Sequence, residues 1–173
     1  MEYPIGIEMS KEYLAYEVSK SAYKLVKEVL LVQPGENVVV TGDTSTDQRV
    51  LDAIMNAAYI LGANPVLVYV PTNEKAYAEP IAPLGNAVAV ADVWIELSYS
   101  SIMLCESWRK AIDFGCRYIN LTGMDVTMIV NCIGKVDVEG VVQLGETLKA
   151  KIEAANEIII KDDNGTYLTA RNE

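Results

Sequence analysis

Three short polar segments each follow an apolar run that is typical of a buried strand. They are GDTSTD at 42–47, SYSS at 98–101 and TGMD at 122–125. Ligands of parallel sheets bind at the carboxyl ends of the strands, where polar side chains in the loops can orient a substrate. We therefore predict six substrate-binding candidates in these segments: Asp43, Thr44, Ser98, Tyr99, Ser100 and Thr122.

The segment at 42–47 also suggests anion binding, because backbone N–H groups at a helix N-terminus can hold an anion. It matches neither GxGxxG nor GxxxxGK[ST], however, and Asp43 would repel a dinucleotide phosphate. Each segment has a plainer interpretation as well. The first can be a capped strand-to-helix turn, the second a solvated loop, and Asp125 in the third a helix cap.

A single acidic residue, Glu96, interrupts the apolar run DVWIEL. A buried carboxylate needs a partner, or its pKa rises. Arg109 and Arg117 are the candidate partners. The favoured alternative is that Glu96 occupies an exposed or edge position with its side chain directed at solvent.

Histidine is absent from the chain. This excludes histidine-based triads, the HExxH zinc site and histidine acid–base chemistry within these residues. Four carboxylates that follow or end strands have the oxygen ligands of a magnesium site, although their spacing does not require one; they are Asp43, Asp47, Glu96 and Asp125. We predict no catalytic residue and no metal ligand in this chain.

The three cysteines and the net charge exclude further classes of function. No CxxC pair occurs, which argues against a zinc ribbon or a thioredoxin motif. We expect Cys116 and Cys132 to be packing residues, while Cys105 lies where a loop enters a helix. A net charge of −10 offers no basic surface for nucleic acid.

Hydrophobic periodicity predicts alternating helices and strands. Helices are expected at about 11–31, 46–61, 104–114, 125–133 and 137–155, with a short, weakly specified one within 81–91. Ser10 is expected to cap the first helix and Thr44 or Thr46 the second. Strands are expected at 37–41, 65–70, 92–97 and 116–121, followed by a hairpin of 157–161 and 166–170 around DDNG.

The predicted fold class is α/β, a Rossmann-like or flavodoxin-like three-layer sandwich with a mainly parallel sheet and a C-terminal β-hairpin. We expect an α/β domain at 1–155 and the hairpin at 156–173. No apolar run reaches the roughly 18 residues of a membrane span. The N-terminus has no signal-peptide pattern, so a cytoplasmic protein without membrane contacts is the expectation.

The order of these motifs resembles a known family. QPGENVVVTGDTSTD, VLDAIMNAAYILGANPVLVYV, ADVWIELSYSS and GCRYINLTGM follow one another as in the N-terminal α/β domain of the thermophilic metallo-aminopeptidase family (aminopeptidase T type). That family is related to 2,5-dihydroxypyridine 5,6-dioxygenase. The tail AANEIIIKDDNGTYLTA resembles the entry into the family's second domain. One departure is that SYSSIMLCESWRK lacks the histidine that family members often carry there.

The resemblance implies a role as one wall of a substrate cleft. The family's catalytic metal, a divalent zinc, cobalt or iron ion, is bound by the second domain, so no cofactor is expected in this chain and the chain alone is not expected to be catalytically competent. The implied function is peptide hydrolysis by a metal-dependent aminopeptidase-like enzyme that acts on a peptide or small molecule. A homo-oligomer is expected. Two alternatives stay open: an iron(II) ring-cleaving dihydroxypyridine dioxygenase, and a stand-alone binding or oligomerisation protein.

Overall fold

The computed structural model describes residues 14–171, and the chain divides into two compact units, Met1–Val136 and Asp137–Glu173. The first unit alternates helices and strands. Its helices are α1 (Ala15–Lys24, continued by a π-helical turn at Leu25–Val29), α2 (Gln48–Ile60), α3 (Ala82–Val88), α4 (Glu106–Phe114) and α5 (Val126–Ile129, continued by a π-helical turn at Val130–Gly134). Its strands are β1 (Asn37–Asp43), β2 (Asn64–Val70), β3 (Val93–Glu96) and β4 (Arg117–Asn120).

All four strands run parallel in the order β2-β1-β3-β4. After β1 the chain adds β2 on one side of it, and it then returns to add β3 and β4 on the other side. The topological switch point therefore lies between β1 and β3, at whose carboxyl ends the loops after these strands meet. The predicted α/β class with a parallel sheet is confirmed.

The two faces of the sheet bury different side chains, as the two-residue period of a strand requires. Val38 and Val40 of β1 face the core shared with α1 and α2. Val39 faces the other core, shared with α3 and α4. In β3, Ile95 belongs to the first core and Trp94 to the second. Residues of β3 with even numbers therefore point towards α3 and α4.

The second unit consists of α6 (Val138–Ala154) and an antiparallel hairpin of β5 (Glu157–Lys161) and β6 (Tyr167–Arg171). Asp162 holds the turn, since its carboxylate accepts hydrogen bonds from Asn164 N (2.8 Å) and Thr166 N (3.1 Å). The hairpin predicted from DDNG is thus confirmed. The domain boundary predicted after residue 155 stays a prediction.

Helix caps differ in part from expectation. Asp47, rather than Thr44 or Thr46, caps α2 by accepting a hydrogen bond from Arg49 N, because Thr46 is used to join β1 to the loop after β3. Asp125 caps α5 as one interpretation of its segment predicted. The Ser10 cap lies outside the described residues.

The three cysteines differ in burial. Cys105 and Cys116 are buried, and burial raises the pKa of Cys116 to about 11. Cys132 is exposed, so its predicted packing role is wrong; the helix there ends in a π-helical turn that leaves this position outside the core. None of the helices between residues 14 and 171 has the length and apolar character that a bilayer crossing requires.

Candidate functional site

A cleft of about 360 Å³ opens at the carboxyl ends of β1, β2 and β3. Its position follows from the strand order, because the switch point leaves a space between the loops that follow these strands. The cleft is lined by residues from those loops and from the start of α3: Asp43, Val70, Pro71, Thr72, Asn73, Glu74, Pro80, Ile81, Leu84, Ser98, Ser100 and Ile102.

Asp43 joins the loops on the two sides of the switch point. It is almost fully buried at the end of β1. One carboxylate oxygen accepts a hydrogen bond from Ser45 N (3.0 Å) and the other from Ser100 N (3.2 Å). The hydroxyl of Thr46 adds a second link by donating to the carbonyl of Leu97 (3.0 Å). Asp43 therefore shapes the cleft through hydrogen bonds that already occupy both of its oxygens.

Ser98 is the most informative side chain of the cleft. It is only 3% exposed, it lines the cleft, and within the described chain its hydroxyl has no hydrogen-bond partner. Buried polar groups are nearly always paired, so an unpaired hydroxyl in a cleft wall indicates a bound molecule or water as its partner. Ser100 lies beside it and is buried as well.

The six predicted candidates do not all reach this cleft. Asp43, Ser98 and Ser100 are brought together in its lining. Thr44 is exposed and outside the lining, and its hydroxyl accepts a hydrogen bond from the backbone N of Thr72 (3.1 Å), which is a lining residue. Tyr99 is 62% exposed and Thr122 follows β4, and neither is in the lining. A substrate-binding role for any of the six stays a prediction.

The largest group that sequence reasoning missed is the segment after β2. Residues 70–74, VPTNE, form one side of the cleft. The rule that selected the other loops applies equally here, because β2 is also a parallel strand and ends at the same edge. The signal was therefore present, in a polar segment directly after an apolar run. Pro80, Ile81 and Leu84 were not identifiable in this way, since only the return of the chain places them opposite.

The loop between β2 and α3 is tied down at its far end. The carboxylate of Glu79 accepts hydrogen bonds from the first backbone amides of α4, Glu106 N (2.8 Å) and Ser107 N (3.1 Å), and from the hydroxyl of Ser107. This last hydrogen bond holds the pKa of Glu79 below its usual range. Tyr77 N donates to Ser101 O, which links the same loop to the one after β3. The loop between β2 and α3, which forms the outer wall of the cleft, is thus held by hydrogen bonds at both Tyr77 and Glu79.

Glu96 corrects two expectations. It is fully buried in an interior strand, so the favoured exposed or edge position is wrong. Its carboxylate accepts hydrogen bonds from Ile102 N (2.6 Å), from the phenol of Tyr118 and from the amide of Asn120 (3.4 Å). The arginine partners are also wrong, since Glu96 bonds to none, and Arg117 pairs with Glu36 instead.

Burial raises the pKa of both acidic groups in this network, Glu96 and Tyr118. Desolvation raises the pKa of Glu96, against the opposing effect of the hydrogen bond from Tyr118. Burial likewise raises the pKa of the Tyr118 phenol, and the carboxylate of Glu96 raises it further. Glu96 does not line the cleft, but it holds Ile102, which does. Its position is therefore that of a support for the cleft wall.

The described residues do not fit a metal site. No group of three or more histidine, cysteine, aspartate or glutamate residues between 14 and 171 could hold an ion. The carboxylates nearest the switch point, Asp43 and Glu96, are engaged by backbone and side-chain donors of the protein itself. The magnesium site weighed from four carboxylates is thus not assembled in this part of the chain.

Comparison with known proteins gives matches of structure only. No protein-family model matches the chain, and no curated protein matches it in sequence. The structure of 2,5-dihydroxypyridine dioxygenase from Pseudomonas putida KT2440 superposes on 90% of the chain with a TM-score of 0.67 and 19% identity. AmpT from Thermus thermophilus superposes on 91% of it with a TM-score of 0.56 and 12% identity.

The likeness lies in the fold. The chain spans about half the length of each of these two structures, 47% of the dioxygenase and 54% of AmpT. Both are proteins of the kinds that the sequence analysis named, although the match is one of structure and not of sequence. The comparisons therefore support the α/β architecture and leave the activity to be argued from the site.

Proposed function

We propose that the first unit forms the substrate-side wall of a metal-dependent aminopeptidase-like enzyme. The observation that carries this proposal is the cleft at the switch point, with the buried, unpaired hydroxyl of Ser98 in its wall. Support comes from the motif order, which resembles the aminopeptidase T type, and from the fold shared with AmpT. In this reading Asp43 and Ser100 shape the wall and Ser98 contacts the substrate.

The catalytic metal of such an enzyme has no fitting ligands among residues 14–171. The proposal therefore places the zinc, cobalt or iron ion in a second domain, as the family resemblance implies. The residues of this chain would bind and orient the substrate, and no step of hydrolysis is assigned to them.

The test is an activity assay of the natural protein. We expect release of N-terminal amino acids from short peptides that depends on added zinc or cobalt and is abolished by a chelator. Ser98→Ala should raise KM more than it lowers kcat, because Ser98 is assigned to binding. Absence of metal-dependent hydrolysis across a panel of peptides would overturn the proposal.

A ring-cleaving iron(II) dioxygenase is the second candidate. It is favoured by the better superposition on the dihydroxypyridine dioxygenase, with a TM-score of 0.67 against 0.56 for AmpT. Oxygen uptake on addition of 2,5-dihydroxypyridine and iron(II) separates the two candidates. Uptake without peptide hydrolysis would replace the first proposal by this one.

A stand-alone binding or oligomerisation protein is the third candidate. Two strand edges favour it. β2 ends the sheet and exposes Val66, Leu67 and Tyr69, and the hairpin of the second unit exposes Ile159, Ile160 and Leu168. Exposed strand edges are sites where another chain can add a strand. A homo-oligomer is compatible with all three candidates.

A further inference from the structure

The chemical class of the ligand can be argued from the lining of the cleft, on the basis of the proposed function. One part of the lining is apolar and comes from the end of β2 and the start of α3: Val70, Pro71, Pro80, Ile81 and Leu84. Ile102 extends it from the loop after β3. Burying an aliphatic group against this surface is favourable by roughly 25 cal/mol per Å². The ligand should therefore have an aliphatic body.

The charges of the lining have one sign. Asp43 and Glu74 are acidic, and the lining contains no lysine or arginine. A negative head group placed here would be repelled by both carboxylates in a site that is partly closed to water. A positive or uncharged head group would not.

Four backbone amides at this edge, where many related folds hold anions, donate hydrogen bonds to acceptors of the protein itself. Ser45 N and Ser100 N donate to Asp43. Ile102 N donates to Glu96, and Thr72 N donates to the hydroxyl of Thr44. These four donors are therefore not free for a phosphate or a carboxylate.

The hydroxyl of Ser98 is the group of the lining that we assign to recognise the head of the ligand. It is buried in the wall and, among residues 14–171, has no partner. A serine hydroxyl both donates and accepts hydrogen bonds, so it can accept from an ammonium or an amide N–H. An amine or amide head group would supply the missing partner.

We propose that the cleft binds a small molecule with an aliphatic body and a positively charged or uncharged nitrogen head group, a primary amine in the simplest case, which donates a hydrogen bond to Ser98 Oγ. Ligands with an anionic head, including phosphates, are rejected. The selectivity comes from Asp43 and Glu74 together with the occupied backbone amides.

The experiment compares three probes that share one aliphatic body and differ in the head group. They are 3-methylbutylamine, 3-methylbutanamide and 3-methylbutanoate, titrated into the ¹⁵N-labelled chain at neutral pH and followed by amide chemical shifts. We expect the amine to bind at least about tenfold more tightly than the carboxylate, a difference of roughly 1.4 kcal/mol, with the amide between them. The shifts should concentrate at residues 70–74 and 98–102.

Two variants test the assigned groups, each with a matched control. Ser98→Ala should weaken amine and amide binding about tenfold, whereas Ser21→Ala, a buried serine of α1 outside the cleft, should not. Glu74→Gln should narrow the preference for the amine over the carboxylate, whereas Glu28→Gln removes the same charge from outside the lining and should leave it unchanged.

Several outcomes overturn the proposal: carboxylate binding as tight as amine binding, no saturable binding of any probe, or equal effects of Ser98→Ala and Ser21→Ala. The result is independent of the enzymatic assay. Amine selectivity without peptide hydrolysis would refute the proposed function alone, and hydrolysis by an enzyme whose cleft prefers the carboxylate would refute this inference alone.

Discussion

At the scale of single residues, buried hydroxyl groups in this protein differ in whether they have a partner. Thr41 Oγ1 accepts a hydrogen bond from the indole of Trp94 (3.0 Å) in the core between β1 and β3. The buried hydroxyl of Thr122 has no partner in the described chain and does not line the cleft. A paired hydroxyl stabilises the fold. An unpaired one destabilises it, because the group loses its hydrogen bonds to water on burial and gains none in the protein.

Replacing each of these threonines by valine should therefore have opposite effects. Thr41→Val leaves the indole N–H buried and unpaired, and we expect it to lower the free energy of unfolding by about 2 kcal/mol. Thr122→Val should raise it by up to about 1 kcal/mol. Urea unfolding followed by circular dichroism measures both. Equal losses from the two substitutions would contradict the assignment of partners.

The buried carboxylate of Glu96 makes a second prediction, on pH. Its pKa is raised by burial, so the folded chain binds this proton more tightly than the unfolded chain does. The stabilisation from this group is complete below the ordinary pKa of a glutamate and is lost as the pH rises through the raised pKa. The stability of the wild type relative to Glu96→Gln should therefore fall as the pH rises above about 4.3, the ordinary pKa of a glutamate.

The matched variant for this experiment is Tyr118→Phe. It keeps the ring that packs on Trp94 at 4.8 Å between centroids and removes the phenol that donates to Glu96. Because that hydrogen bond lowers the pKa of Glu96, its loss should move the pH-dependent window to higher pH. Denaturant unfolding at a series of pH values measures the window. Parallel pH profiles for wild type and Glu96→Gln would refute the account.

At the scale of elements, α4 depends on a residue from another part of the chain. Its local cap is the thiol of Cys105, a weak acceptor that lies 3.4 Å from Trp108 N. The carboxylate of Glu79 supplies the stronger acceptor for the amides of Glu106 and Ser107. The start of α4 and the outer wall of the cleft are therefore stabilised by the same contact.

Glu79→Gln should weaken both features at once. We expect a loss of about 1 kcal/mol in the free energy of unfolding, the usual worth of a helix cap. Hydrogen exchange should accelerate at the amides of Glu106 and Ser107 and at Tyr77 N, which the same loop positions. Glu74→Gln, on the same loop, is the control. Unchanged exchange at α4 in Glu79→Gln would show that the contact does not hold the helix.

Most helices and strands were predictable from the sequence because their signals are local. The valine run of β1, the glycine after α2 and the DDNG turn each restrict their own neighbourhood. The cap of α2 was not, because several polar residues in 43–47 have the chemistry of a cap. Long-range bonds decide among them: Thr46 is drawn to the carbonyl of Leu97, which leaves Asp47 for the helix.

At the scale of the whole molecule, the hairpin is the segment through which copies of the third candidate would assemble. An isolated two-stranded hairpin is marginal in stability, and its apolar side chains are exposed in the described chain. If the chain is a stand-alone oligomer held by this hairpin, deletion of 157–173 should reduce the number of chains per particle, as measured by light scattering. Leu67→Lys, which places a charge at the other exposed strand edge, should not. An unchanged number of chains per particle after the deletion excludes assembly through the hairpin.

The sequence by itself determined the alternation of strands and helices, the terminal hairpin and the edge of the sheet at which polar loops gather. These follow from hydrophobic periodicity and turn chemistry, which act over a few residues. It also placed Asp43, Ser98 and Ser100 at that edge, where all three line the cleft. Asp43 is the last residue of β1, and the two serines follow β3.

Only the tertiary structure decided which loops meet. Strand order depends on pairing between distant segments, and the order β2-β1-β3-β4 brings the loop after β2 into the cleft and leaves Thr122, after β4, outside its lining. It also decided that Glu96 is buried. Like Trp94, Glu96 lies on the face of β3 that points towards α3 and α4, where it contacts Tyr118. For Ser98, the sequence indicated a polar loop, whereas the packing around it left a buried hydroxyl without a partner and made it the marker of the cleft.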